Sequence, residues 1–174
     1  MTRMTDWEQR LAAAWAAVDG QPEQEFRDLI DALAAEQPDT AIASFERACA
    51  FDSTGHPDRA VPLYRDALDR GLTAERRRRA VIQLASSLRN LGRADESVAL
   101  LTGEMDAGTD DLDDAVRAFL ALALADTGRQ REGLSLALAA LAPHLPRYQR
   151  SLAAYAQLLT ASAPTRATPA DEAE

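Results

Sequence analysis

The chain of 174 residues contains no lysine, so all 19 of its basic residues are arginine. Its only cysteine, Cys49, excludes an internal disulfide and a cysteine-based metal cluster. Aromatic residues make up only 5% of the chain, which argues against a β-sandwich because strands favour aromatic and β-branched side chains. No apolar run approaches the roughly 20 residues that a transmembrane helix needs. We therefore expect helices packed through alanine and leucine.

The start of the chain lacks the apolar stretch of a secretory signal, and we expect a cytoplasmic protein that does not associate with membranes. The net charge of −9 repels phosphate backbones, which disfavours nucleic acid as a partner. The absence of lysine, together with abundant alanine, is typical of a GC-rich genome.

Four glycines recur along the chain at separations of 35, 37 and 36 residues: Gly20, Gly55, Gly92 and Gly128. Each lies between two Ala/Leu-rich helical patterns, and we expect Gly20 to close the first helix in the left-handed conformation that glycine adopts without strain. A period of this length predicts stacked helix pairs, because one pair alone cannot bury its apolar face.

The patterns predict nine helices, the last of which caps the stack. They cover residues 5–18, 22–36, 40–53, 57–70, 73–91, 94–105, 112–126, 131–141 and 147–160. Pro38 is expected to break the second helix. Residues 1–160 are predicted to form one helical repeat domain, and residues 161–174, with two prolines and several acids, a disordered acidic tail.

The second unit places Ala48, Phe51, Ala60, Tyr64 and Ala67 at a spacing that resembles the tetratricopeptide repeat. The stretch AVPLYRDAL…ERRRRAVIQLASSLRNLG is also similar to a bacterial subgroup of such proteins. The resemblance implies an all-α, right-handed superhelical solenoid of antiparallel helix pairs with a C-terminal capping helix. It also implies a concave groove, lined by the first helix of each pair, that binds a protein or peptide partner.

Carried over to this chain, the resemblance predicts a partner-binding groove in the second and third units. The predicted residues are Phe45, Cys49, Arg79, Ile82, Gln83, Ser86, Arg89 and Asn90. Arginine can grip a carboxylate, and the two amides can hydrogen-bond a peptide backbone. The alternative is that Gln83 and Asn90 cap or bridge neighbouring helices, and that the arginines pair with Glu or Asp residues of the next unit.

Other reactive groups do not form a recognisable site, so we predict neither catalytic residues, nor a metal, nor a cofactor. The acids from Asp106 to Asp114 lack the spacing of a calcium loop and suit a helix N-terminus instead. The four arginines at positions 76–79 spread around a helix and are expected to pair with nearby acids.

Two functions remain open. One is a non-catalytic adaptor that holds a peptide segment of a partner protein on its concave face. The other is a self-associating structural protein, such as a homodimer, whose groove is filled by its own N-terminal helix or by a second subunit.

Overall fold

The computed structural model describes residues 5–37 and 39–161, and within these ranges the chain folds into nine α-helices, two short 3-10 turns and no strand. The helices are α1 (Asp6–Ala16), α2 (Glu23–Ala35), α3 (Thr40–Ser53), α4 (Pro57–Asp69), α5 (Ala74–Asn90), α6 (Ala94–Asp106), α7 (Asp113–Asp126), α8 (Gln130–Leu141) and α9 (Gln149–Leu158). Consecutive helices pack on one another in pairs, which confirms the predicted all-α solenoid. Pro38 and almost all of the predicted tail lie outside the described residues.

The same glycine turn joins the two helices of the second, third and fourth pairs. Gly55, Gly92 and Gly128 have φ values of 77°, 74° and 82°. The residue after each glycine donates its backbone N–H to a carbonyl five residues earlier, at 2.8–2.9 Å. This bond is the Schellman pattern, in which a left-handed residue lets the next N–H reach back to an orphan carbonyl. The predicted period therefore rests on one repeated backbone conformation.

The first turn does not follow the prediction. Gly20 is the last residue of the 3-10 turn Val18–Gly20, and its φ is not positive. Its N–H bonds only three residues back, to Ala17 O at 3.0 Å, so the chain leaves α1 without a left-handed residue. Gly71, with φ 86°, adopts the glycine turn instead at the end of α4.

The core consists of three buried clusters that follow one another along the stack. The first joins α1, α2 and α3; the second joins α3, α4 and α5 around Phe45 and Tyr64; the third joins α5, α6 and α7 around Leu101 and Val116. Each cluster shares a helix with the next, as expected for a solenoid stabilised by nearest-neighbour contacts.

The first helices of the pairs form the inner layer. Helix α3 packs on α5 and α5 on α7, in addition to the partners within the pairs. Gly133 shows how closely the two helices of the fourth pair cross, because a Cβ added there would lie 2.5 Å from Ala121 O. The corresponding residues of the second and third pairs, Ala60 and Ser97, are also small and fully buried.

Candidate functional site

Helix α5 directs its four consecutive arginines to different neighbours. Arg77 donates one guanidinium nitrogen to both oxygens of the buried Glu104, at 2.8 and 2.9 Å. Arg78 is buried and donates to Gly108 O at 3.1 Å and to Asp113 Oδ1 at 2.7 Å. These two arginines tie α5 to α6 and to the start of α7. The prediction that the run spreads around the helix and pairs with acids is confirmed for them.

The opposite face of α5 carries the polar residues that the sequence singles out. Arg79, Gln83, Ser86 and Asn90 recur at intervals of three and four residues, which places them on one side of the helix. Arg79 and Asn90 are exposed, while Gln83 and Ser86 are half-buried. We call this stripe the groove face.

Two of the predicted polar residues, Gln83 and Arg89, already bind other residues of the chain. The Cys49 thiol donates to Gln83 Oε1, with a sulfur-to-oxygen distance of 3.3 Å. Arg89 Nε lies 2.5 Å from Asp126 Oδ2 on α7, the first helix of the next pair. For Arg89 the structure therefore follows the pairing that the sequence left open as an alternative.

Three predicted site residues lie beneath the surface. Phe45 and Cys49 belong to the second core cluster and Ile82 to the third, and all three side chains are buried. Their burial removes them from direct contact with a partner in this conformation. Phe45 still touches the groove through its ring, since the Arg79 guanidinium lies 5.4 Å from the ring centroid.

A buried carboxylate lies at the N-terminal end of the groove. Glu46 on α3 accepts a hydrogen bond from Trp15 Nε1 at 3.4 Å, and Arg76 Nε lies 3.7 Å from its Oε1. Burial raises the pKa of Glu46, and the Trp15 hydrogen bond and the two nearby guanidinium groups oppose that rise only in part. Arg76 Nε is itself buried and has no hydrogen-bond partner among the described residues.

Three clefts meet at this end of the groove. A cavity of about 260 Å³ between α1, α3 and α5 is lined by Trp15, Glu46, Arg76 and Arg79, among others. Neighbouring cavities of about 360 and 350 Å³ also include Arg76. No carboxylate pairs with Arg79 in the part of the chain that the structure describes. All three clefts therefore contain Arg76, which pairs with Glu46, and two of them contain Arg79, which has no carboxylate partner in the described ranges.

Trp15, Glu46 and Arg76 were not among the predicted site residues. A carboxylate in the middle of a helix is normally exposed, so the pattern did not predict that Glu46 is buried beneath the groove. Arg76 is one residue of a four-arginine run, and its position three residues before Arg79 was the only signal that it shares a side with that residue.

A larger cleft of about 630 Å³ lies between α2 and α4, over the outer side of α3. Arg59 covers the Phe51 ring there at 4.2 Å, and Gln24 also lines the cleft and donates to Asp28 at 2.7 Å. This outer cleft resembles the groove in residue types, but its walls are the second helices of the pairs.

The described residues hold no group of histidine, cysteine or acid side chains that could bind a metal ion. Burial raises the pKa of Cys49 to about 12, so the thiol remains protonated at neutral pH. No helix in the described ranges is both long and apolar enough to cross a bilayer.

The fold and the groove define an all-α helical-repeat scaffold. The tetratrico peptide repeat family model matches residues 41–159, more than half of the chain, and the chain belongs to this family. The match begins at α3, so the first pair, with its different turn, lies before it. Searches of the curated proteins and of the solved structures gave no match. The family is a protein–protein interaction module and is generally a non-catalytic scaffold.

Proposed function

We propose that this chain is a non-catalytic cytoplasmic adaptor that binds a peptide segment of a partner protein in its concave groove. The contacts are assigned to Arg79, Gln83, Ser86, Arg89 and Asn90. The buried residues Phe45, Cys49 and Ile82 form the layer that holds this face in place. The observation that carries the proposal is Arg79, which lines two of the three clefts and has no carboxylate within ion-pair distance among the described residues.

The charge of the groove indicates the chemistry of the peptide. The chain as a whole is strongly acidic, and the clefts carry both signs of charge. Arg76 and Arg79 line two of them, together with the acids Glu8, Asp39, Glu46 and Glu75. Among the described residues, none of these acids lies within ion-pair distance of Arg79, whereas Glu46 pairs with Arg76. An acidic side chain or a C-terminal carboxylate of the peptide would place an anion at pairing distance from Arg79, and a bidentate contact to this arginine would be charge-assisted.

The other end of the groove favours apolar groups. On α7 the exposed residues Ala118 and Leu122 lie beyond Arg89 and Asp126, and neither carries a charge. Between the two ends, Gln83 uses its amide oxygen for Cys49, and its Nε2 group has no partner among the described residues. A peptide with an acid at one end, a backbone carbonyl over Gln83 and an apolar side chain near Leu122 fits this order.

The test compares the groove with the outer cleft, which offers a matched control. Arg79→Ala with Gln83→Ala removes an arginine and a glutamine from the groove, and Arg59→Ala with Gln24→Ala removes the same residue types from the outer cleft. Both variants are first checked for folding by circular dichroism. We expect the groove variant alone to lose a protein that the wild type captures from native extract.

A photoreactive residue at Asn90 then tests whether the captured protein touches the groove. We expect a cross-link from Asn90 and none from the same residue placed at Asp58, in the outer cleft. Equal capture by both variants, or cross-links only from Asp58, would contradict the proposal. A cross-linked product of two identical chains would assign the groove to self-association instead.

A further inference from the structure

The last two helices leave an apolar surface uncovered. Among the described residues, five of the eight large hydrophobic side chains that are most exposed belong to α8, α9 and the residue before α9. Their exposed fractions are Leu134 50%, Leu141 48%, Tyr148 77%, Tyr155 65% and Leu158 62%. Only one residue of α9, Ala156, is fully buried. The stack thus ends in a helix that buries few of its side chains against the rest of the protein.

These side chains share one side of the helix pair. Helices α8 and α9 run antiparallel, since Arg131 bonds Leu159 O at 3.2 Å and Ser135 bonds Ala156 O at 2.7 Å. Leu134 directly precedes the contact residue Ser135, and Tyr155 directly precedes the contact residue Ala156. In an antiparallel pair, residues displaced in the same direction from the line of contact point to the same side.

Helical spacing extends the surface along both helices. Leu141 follows Leu134 by two turns, and Leu158 follows Tyr155 by three residues. Tyr148 is the residue that directly precedes α9 and is itself exposed. On α9 the stripe also includes Ser151, so it contains no charged member. We call the surface formed by Leu134, Leu141, Tyr148, Tyr155 and Leu158 the end face.

The backbone holds one of these tyrosines outward at a cost. Tyr148 has φ 68° and is the only non-glycine residue with a positive φ in the described ranges. A bulky residue in this conformation costs about 1 kcal/mol or more. The turn is fixed by Gln149, whose Nε2 donates to Pro143 O at 3.0 Å and to Leu145 O at 2.8 Å. Strain of this kind concentrates where a side chain has a role beyond packing.

We propose that the end face is a self-association surface that binds the same face of a second copy of this chain. Side chains of this size and exposure present on the order of 500–600 Å² of apolar surface, the upper end of what a monomer normally leaves uncovered. A stable interface needs about 800 Å² on each partner, so the proposed contact would also include polar residues around the end face. A two-fold contact is self-complementary and would pair this apolar face with itself, and none of its five side chains carries a charge.

The composition of residues 162–174 does not match the end face. Residues 162–174 contain no leucine, isoleucine, valine, methionine or aromatic residue. They carry three acids at the end, which suit water better than a tyrosine–leucine surface. A second copy carries the complementary apolar surface by identity.

The test measures the mass of the full chain by sedimentation equilibrium over a concentration series. We expect a monomer–dimer equilibrium whose dissociation constant rises by about tenfold or more in Tyr155→Asp with Leu158→Asp, because two hydrophobic anchors are lost and charges are introduced. Leu122→Asp is the control, since Leu122 is an equally large exposed residue in the groove. It should leave the dissociation constant unchanged. Circular dichroism of all variants confirms that they remain folded.

A cross-link provides an independent readout that does not weaken the surface. Ser151→Cys lies in the stripe, so two copies should form an intermolecular disulfide on oxidation. Ala139→Cys, exposed on α8 outside the end face, should not. A monomer at every concentration, a dimer that is lost only with Leu122→Asp, or equal cross-linking from both cysteines would overturn the proposal. The first two outcomes leave the adaptor proposal for the groove intact.

Discussion

Two sides of α5 use the same residue type for different purposes. On the packing side, Arg77 and Arg78 pair with acids on α6 and at the start of α7. On the groove side, Arg76 stands beside one buried carboxylate, and Arg79 has none within pairing distance in the described chain. The difference shows that a run of like charges is divided by the helical period into structural and available groups.

The energetic meaning of this division follows from burial. Removing one partner from a buried ion pair leaves a charge or a polar group without compensation, which costs far more than the pair contributes when intact. An exposed arginine keeps its water and loses little. Variants of Arg78 and Arg79 should therefore separate stability from binding, whereas a variant of Arg76, which pairs with the buried Glu46, should affect both.

The largest expected effect is that of Arg78→Ala. It leaves Gly108 O and Asp113 without their buried donor, and we expect a loss of about 3 kcal/mol in the free energy of unfolding. Urea denaturation with an unchanged m value measures the loss. Arg79→Ala is the matched control, expected to change stability by about 0.5 kcal/mol or less. Equal losses for the two variants would remove the distinction between the two sides.

Arg77→Ala should cost less, about 1–2 kcal/mol, because the buried Glu104 loses a charge-assisted hydrogen bond but keeps Arg78 nearby. Glu104→Gln in the same background should recover part of the loss, since the unpaired charge is then gone. A double-mutant cycle measured by urea unfolding gives the coupling between the two residues. If the effects of the two substitutions on the unfolding free energy were strictly additive, the interaction between Arg77 and Glu104 would contribute nothing to stability.

Glu46→Gln tests the groove side through its pH dependence. Because burial raises the pKa of Glu46, the folded state holds this proton more tightly than the unfolded state. The contribution of Glu46 to the stability of the wild type is thus fully present below pH 4.5, the ordinary pKa of a glutamate carboxyl group. It declines as the pH rises through the raised pKa of Glu46. We expect the stability of Glu46→Gln relative to wild type to increase over that range in unfolding curves recorded from pH 4 to 7.

Glu36→Gln should show the opposite pH dependence of stability relative to the wild type. The Arg10 hydrogen bond lowers the pKa of Glu36, so its contribution is present above 4.5 and is lost as the pH falls. This variant should be destabilised at neutral pH and approach wild type in acid. Curves for the two variants that slope in the same direction would contradict the assignment of Glu46.

The smallest effect is expected for Gln83→Ala. The Cys49 thiol is a weak donor, so losing its acceptor should change the unfolding free energy by less than about 1 kcal/mol. If Gln83 serves the partner, the same variant should still weaken binding in a titration with the captured protein. Gln24→Ala, which removes a glutamine from the outer cleft, should leave that affinity unchanged.

The sequence predicted the repeat because the repeat depends on local backbone chemistry. Gly55, Gly92 and Gly128 occupy left-handed positions that disfavour other residues, and their spacing reveals the period directly. The prediction failed at Gly20 because a 3-10 turn closes α1 without a left-handed residue. Glycine identity alone does not distinguish these two endings.

The site was predicted less completely, since its geometry depends on how neighbouring helices stack. Helical spacing placed Arg79, Gln83, Ser86 and Asn90 on one side of α5. It left open whether Arg89 pairs with an acid of the next unit, as it does with Asp126, 37 residues further along. It did not indicate that Glu46 is buried. Such pairings depend on the angle between repeats, which no residue spacing within one helix encodes.

The most direct test of the account is an alanine scan of the four arginines, with two quantities measured for each variant. These are the unfolding free energy and the affinity for the partner captured by the wild type. The account predicts that Arg79→Ala weakens binding at nearly unchanged stability, and that Arg76→Ala weakens binding with some loss of stability, because it also removes a cation from the buried Glu46. Arg77→Ala and Arg78→Ala should lower stability while the folded protein binds as wild type does. Weakened binding in the second pair but not in the first would contradict the assignment of the groove.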